Sequence, residues 1–198
     1  AMTRTLTRQE LDRYDRDGYL VIHGAVPQKR LAGVIAETER MLETAYTIAS
    51  GTAMLDVDPA HRPEEPPVRR IKSQHEHSDF FRAFAAEPLI MDLLDPLMPS
   101  GIRLHNSKMN MKSAGVGESV EWHQDWAFYP HTNDDVLTIG IFLDDMDADN
   151  GPLCVMPGSH KGPIYDHHAE GAFCGALDLE TAELDFSQAV PMEGKAVS

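Results

Sequence analysis

The apolar residues of this chain change their period at Pro99-Ser100-Gly101, and that change limits the fold more than any other feature. Before it they recur mostly at three and four residues, the spacing of a helix face; after it they alternate. Thr7-Arg8-Gln9-Glu10 places a hydroxyl three residues ahead of a glutamate, the pattern of a capping box. It predicts a short helix to about Arg16, stopped by Asp17-Gly18. Tyr19-Leu20-Val21-Ile22 reads as a strand. Pro27 opens a second helix to about Tyr46, striped by Leu31, Val34, Ile35, Met41 and Leu42. From Gly51 to Pro67 prolines, glycines and acids interrupt the pattern, predicting a long loop, either a lid or an ordinary connection. Ser78 to Met98 is helical again through Phe81, Phe84, Leu89, Ile90, Leu93 and Leu94, with Pro88 breaking it in two. Segments 102–112, 119–128, 136–143 and 153–156 then read as extended. Helices followed by successive short strands predict an α+β fold with a mostly antiparallel barrel or sandwich.

Charge narrows the partners. Lys and Arg number 17 against 32 Asp and Glu, a net charge of −15. Such a chain repels phosphate backbones and anionic lipid, so no nucleic-acid and no membrane partner is expected. No apolar run approaches the ~20 residues that span a bilayer. The residues around Met2 lack the apolar stretch of a signal peptide. Two cysteines, Cys154 and Cys174, make neither a disulfide framework nor a four-cysteine zinc site. A cytoplasmic protein is therefore expected. Cys154 lies in an apolar run and reads as core.

The densest polar cluster is Glu121-Trp122-His123-Gln124-Asp125-Trp126. On a strand, His123 and Asp125 share one face and the two tryptophans the other. An imidazole and a carboxylate so placed supply two parts of a facial metal site, in which two His and one carboxylate leave positions open. A surface strand bearing one His and one Asp by chance is the plain alternative.

Further on, Asp149-Asn150-Gly151-Pro152 leads to Pro157-Gly158-Ser159-His160. With Trp122-His123-Gln124-Asp125 ahead of it, and Tyr14 and Asp17-Gly18-Tyr19 near the start, the chain resembles the phytanoyl-CoA dioxygenase family. Members of that family are non-haem iron, 2-oxoglutarate-dependent oxygenases, and the resemblance covers nearly the whole chain. It implies a double-stranded β-helix, a cupin-like jelly roll, with N-terminal helices packed outside. It also implies one oxygenase domain over 1–198, with 2–100 mainly helical and 101–198 the jelly roll. The cofactors implied are Fe(II), 2-oxoglutarate as cosubstrate and O2. A small-molecule substrate would be hydroxylated with release of succinate and CO2. His123 and Asp125 would be the first two iron ligands. Halogenating relatives carry a small residue in place of that carboxylate, so Asp125 favours hydroxylation. The family's third ligand is a His on a late strand, with an Arg beyond it for the cosubstrate. The chain reaches Ser198 where that strand is due, so a domain lacking its C-terminal strands is expected. His160, His167 and His168 lie downstream and are the candidate replacements for that ligand.

Cosubstrate contacts are expected from Lys108 and Asn110, which share a strand face with Asn106, and from Thr138. Lys108 could neutralise a carboxylate as a point charge. Each has a plain alternative: a solvated strand face for Lys108 and Asn110, a β-former in a core strand for Thr138. Arg70 and Lys72 could add positive charge at a pocket entrance. Tyr129, His131 and Asn133 lie in an aromatic and polar turn just after the metal pair and are candidate substrate contacts. A turn whose own side chains satisfy its backbone is the alternative there. Two other functions stay open: a cupin-like hydrolase or isomerase using zinc or manganese as a Lewis acid, and a non-catalytic binding barrel.

Overall fold

A computed structural model describes residues 4–59, 62–64, 67–111, 120–133 and 135–196. Contacts group the chain into two units. One joins Ala1–Leu6 to Val26–Glu118, and the other joins Thr7–Ala25 to Ser119–Ser198. The first helix thus groups with the C-terminal part of the chain, not with the helices that follow it in sequence.

In the first unit, Pro27 precedes α2 (Gln28–Leu42), which runs on into a 3-10 turn at Glu43–Thr47. Leu31, Val34 and Met41 are buried along one face. Thr38 shares that face because its hydroxyl donates to the Val34 carbonyl at 2.7 Å. Ser73 and Ser78 bracket the short α3 (Gln74–His77). Ser78 then caps α4 (Asp79–Ala85) through the Phe81 N–H, and Pro88 opens α5 (Pro88–Leu94) at the one turn where its missing N–H costs nothing. The expected break at Pro88 is therefore present. Arg30 pairs with Glu87 and lies over the Phe80 and Phe84 rings, 5.3 and 5.6 Å from their centres.

The predicted long loop 51–67 contains a strand. Strand β1 (Leu55–Val57) pairs antiparallel with β2 (Val68–Lys72), which pairs antiparallel with β3 (Lys108–Asn110). Its spacing-two pair, Leu55 and Val57, was the missed signal. Leu55, Ile71 and Met109 stand opposite one another across the three strands, and Leu55 and Ile71 have no exposed surface. Met109 meets the Thr38 hydroxyl through its sulfur at 3.5 Å, which seats α2 on this apolar face. The other face carries Asp56, Arg70, Lys72, Lys108 and Asn110.

Glu37, on α2, has a side chain only 16% exposed. It accepts from the Arg40 guanidinium at 2.7 and 2.9 Å and from the Ser78 hydroxyl. Arg40 first and Ser78 second hold its carboxyl down from 4.5 to about 2. A carboxylate depressed in the folded state stabilises fully above its unfolded pKa and loses that contribution as pH falls through the folded value. Acid unfolding followed by circular dichroism should therefore show a loss between pH 4.5 and about 2 that Glu37→Gln removes. The variant should be the less stable near neutral pH and match the parent at the acid end.

In the second unit, α1 (Arg8–Asp17) begins with the expected capping box: the Glu10 N–H donates to Thr7 Oγ1, and Glu10 Oε2 accepts from the Thr7 N–H. Gly18 ends it at φ 81°, a left-handed conformation that suits glycine, and a Cβ there would strike the His160 ring at 2.3 Å. The Gly158 N–H donates to the Asp17 carbonyl at 2.8 Å, and Lys161 pairs with Asp15 at 3.2 Å. These contacts clasp the helix end to a 3-10 turn at Ser159–Lys161.

Several predicted strands are absent as strands. Tyr19–Ile22 and 136–143 carry no ladder among the described residues, and Ile139 is 42% exposed. An apolar alternating run becomes a strand only where a neighbour offers its edge. Of 102–112 only β3 forms, and 112–119 lies outside the described residues. The segment 120–124 is irregular and leads into a four-residue helix, α6 (Asp125–Phe128), so His123 and Asp125 do not sit on a strand as expected. Strand β4 (Cys154–Val155) pairs with β7 (Val190–Pro191), and β5 (His168–Ala169) with β6 (Ala172–Phe173). Cys154 is exposed on β4, contrary to its expected place in the core. The α+β class holds, with helices and three small antiparallel sheets among the described residues.

Candidate metal centre

Gln124 is the anchor of the polar cluster. Its backbone N–H donates to His167 Nε2 at 2.9 Å, its side-chain oxygen accepts from the Tyr165 N–H at 2.8 Å, and its side-chain nitrogen donates to the Pro163 carbonyl at 3.0 Å. Trp122 is held on the other side, its carbonyl accepting from the Leu177 N–H at 2.8 Å and its ring 5.2 Å from that of Phe186. With the residues before and after it pinned, His123 has little backbone freedom.

Pinning aims the side chains. His123 Nδ1 lies 2.7 Å from the Glu121 carbonyl, which can only accept, so Nδ1 carries the hydrogen and Nε2 keeps its lone pair in the neutral ring. Phe128 turns its ring edge-on to the imidazole, 5.4 Å away, and so limits its rotation. Nε2 faces Asp125 Oδ1 at 3.4 Å. Asp125 Oδ2 accepts from the Thr138 hydroxyl. The two side chains are 21% and 29% exposed, open enough for solvent to deliver an ion and covered enough to hold it.

A lone pair facing a carboxylate at this range calls for positive charge between them, either a proton on Nε2 or a cation. Two donors bound about 2.1 Å from one divalent ion at right angles lie about 3 Å apart, so the observed separation fits a shared ion with little movement. Convergence thus comes about although the strand alternation expected to cause it is absent. Asp125 opens a helical turn, and that turn swings its carboxylate back toward His123.

The other expected residues fall differently. Thr138 is exposed and bonds Asp125; it is not the core β-former. Tyr129, His131 and Asn133 do follow in a turn. Within it the Asn133 carbonyl accepts from the Trp126 indole at 3.0 Å, its side-chain amide donates to Asp135 at 2.8 Å, and His131 Nδ1 bonds the Tyr129 carbonyl. Lys108 and Asn110 belong to the first unit, both exposed on the charged face of its sheet. Lys72 stands directly opposite Lys108 there, and Arg70 Nε is buried with no hydrogen-bond partner.

None of His160, His167 and His168 joins the pair. His160 donates to the Asp15 carbonyl at 3.0 Å. His168 bonds the Asp166 carboxylate at 2.6 Å. His167 is 2% exposed and spends both nitrogens, Nδ1 on the Tyr165 carbonyl and Nε2 on the Gln124 N–H. Its role as a brace for residue 124 was missed in the sequence, where nothing marks which histidine is buried. Among the described residues no group of three His, Cys, Asp or Glu could hold a metal ion. No helix among them is long and apolar enough to cross a membrane.

The sequence profile of the family described as phytanoyl-CoA dioxygenase matches residues 14–196. A probable alpha-ketoglutarate-dependent hypophosphite dioxygenase from Stutzerimonas stutzeri is 38% identical over 172 residues, covering 86% of this chain and 58% of that protein. An ectoine dioxygenase from Stutzerimonas stutzeri strain A1501 is 30% identical, covering 76% of this chain and 49% of that protein. The chain spans about half the length of the curated relatives it matches. A crystal structure of EvdO2 from Micromonospora carbonacea var. aurantiaca, complexed with 2-oxoglutarate, superposes with a TM-score of 0.64 at 15% identity. That likeness covers 98% of this chain and 80% of the other, and shows a shared fold.

Proposed function

Because the chain belongs to the phytanoyl-CoA dioxygenase family, we propose that it serves an Fe(II)- and 2-oxoglutarate-dependent dioxygenase that hydroxylates a small molecule, on a double-stranded β-helix with helices packed outside. The single observation that carries this reading is the convergence of His123 Nε2 and Asp125 Oδ1 at 3.4 Å within a family match over 14–196. The names of the relatives point the same way, toward small polar substrates such as hypophosphite or ectoine.

When bound, the ferrous ion and 2-oxoglutarate supply the oxidising chemistry, with O2 consumed and succinate and CO2 released. The protein's part is to hold and to exclude. His123 would offer the ion its Nε2 lone pair, since the Glu121 carbonyl holds the proton on the other nitrogen. Asp125 would give it a carboxylate donor and offset half of its charge. A third ligand is required to complete the facial set, and it is not among the described residues. Lys108 and Asn110 are our candidates for the cosubstrate's carboxylates. The support is their sheet face, where Lys72 faces Lys108 and Arg70 Nε lacks a partner: like charges set opposite one another repel unless an anion lies on them. Tyr129, His131 and Asn133 are our candidates for the substrate side. With Asp125 present at the ligand position, hydroxylation is favoured over halogenation.

The test is turnover. Protein supplied with Fe(II), 2-oxoglutarate and O2 should form succinate, and under nitrogen the same mixture should show a weak visible charge-transfer band. Succinate formation that fails at every metal loading, or an oxygen-independent activity with zinc or manganese, would replace this reading with a hydrolase, an isomerase or a binding barrel.

A further inference from the structure

We propose that Thr138 is a positioning residue that restricts Asp125 to one-oxygen metal coordination, an inference that rests on His123 and Asp125 being metal ligands. Carboxylates bind metal ions through one oxygen or through both. The choice matters in a facial site, because a six-coordinate ion with three protein ligands has three positions left for cosubstrate and O2. A second Asp125 oxygen on the ion would take one of them.

The two oxygens of Asp125 are not equivalent. Oδ1 faces His123 Nε2 at 3.4 Å, whereas Oδ2 accepts from the Thr138 hydroxyl. A carboxylate has no hydrogen to give, so the direction of that bond is fixed: Thr138 must donate. The bond spans thirteen residues, so it is not a by-product of local helix or turn geometry. Thr138 is also exposed and lies outside any strand ladder among the described residues. Neither core packing nor sheet pairing accounts for a threonine there. Valine would fill the same space without the donor that draws Oδ2 toward residue 138.

Partners of metal ligands typically change affinity about 10–100-fold when removed. Thr138→Val should therefore weaken Co(II) binding by about 10–100-fold and alter the visible Co(II) spectrum, which reports coordination number. Thr138→Ser, which keeps the hydroxyl, should restore both the affinity and the spectrum. The unfolding temperature of the metal-free protein should match the parent in both variants, since position 138 is exposed and neither change opens a buried cavity. Parent-like affinity and spectrum in Thr138→Val would overturn the proposal, and so would equal damage in Thr138→Ser. Asp125→Ala serves as the separate control. If it binds Co(II) as the parent does, the ligand assignment itself fails and this inference falls with it.

Discussion

Alanine at His123, or at Asp125, is expected to reduce 2-oxoglutarate turnover to background while the chain stays folded. Each residue supplies one of two converging donors, and no other His, Cys, Asp or Glu stands ready to replace it among the described residues. Removing an outer partner of a metal ligand already costs about 10–100-fold, so removing a ligand should exceed the upper end of that range in metal affinity. Both side chains are partly exposed, and the backbone between them is held through Gln124, not through the rings. Stability should therefore change little. Isothermal titration with Mn(II) and a succinate assay on the same samples check the two halves of this expectation. A variant that keeps its metal affinity would show that the ion binds elsewhere.

The largest expected effect on stability lies in the first unit. Ile71 has no exposed surface and stands between Leu55 and Met109 on the apolar face of the sheet. Ile71→Ala removes buried methyl groups and leaves a cavity, a change that costs about 2–5 kcal/mol. Urea unfolding should show the midpoint falling at constant slope. Lys72→Ala, one residue on and facing the other way, is the contrast. Its loss should lie within about 0.5 kcal/mol, because surface changes away from special features are small. It also relieves the repulsion with Lys108 across the strand pair. Equal losses at the two positions would mean that the sheet's faces are assigned the wrong way round.

What could be read in the sequence was local. The Thr7–Glu10 box, the glycine stop at Gly18 and the prolines at 27 and 88 act through their own or adjacent residues, and each bounds a helix where expected. Strands were harder because a ladder depends on a distant neighbour. Tyr19–Ile22 and 136–143 have the right alternation and no partner among the described residues, while Leu55–Val57 pairs with Ile71 out of a stretch rich in turn formers.

The site divides along the same line. His123 and Asp125 were legible as a pair from spacing and chemistry. Their convergence was expected from a strand, and it arises instead from a helical turn at Asp125 and from three hydrogen bonds that hold Gln124. Those bonds come from Pro163, Tyr165 and His167, some forty residues away, and no pattern near residue 124 reveals them. Thr138 is legible as a donor to a carboxylate but not as a strand residue: 136–143 forms no ladder among the described residues, and the carboxylate its hydroxyl meets is that of Asp125.

The most direct test is anomalous diffraction from crystals grown without oxygen in the presence of Mn(II) and 2-oxoglutarate. The expected result is one manganese peak about 2.0–2.2 Å from both His123 Nε2 and Asp125 Oδ1, with Asp125 Oδ2 still on the Thr138 hydroxyl. A peak bound by other residues, or a map in which the imidazole and the carboxylate face apart with no ion between them, would contradict it.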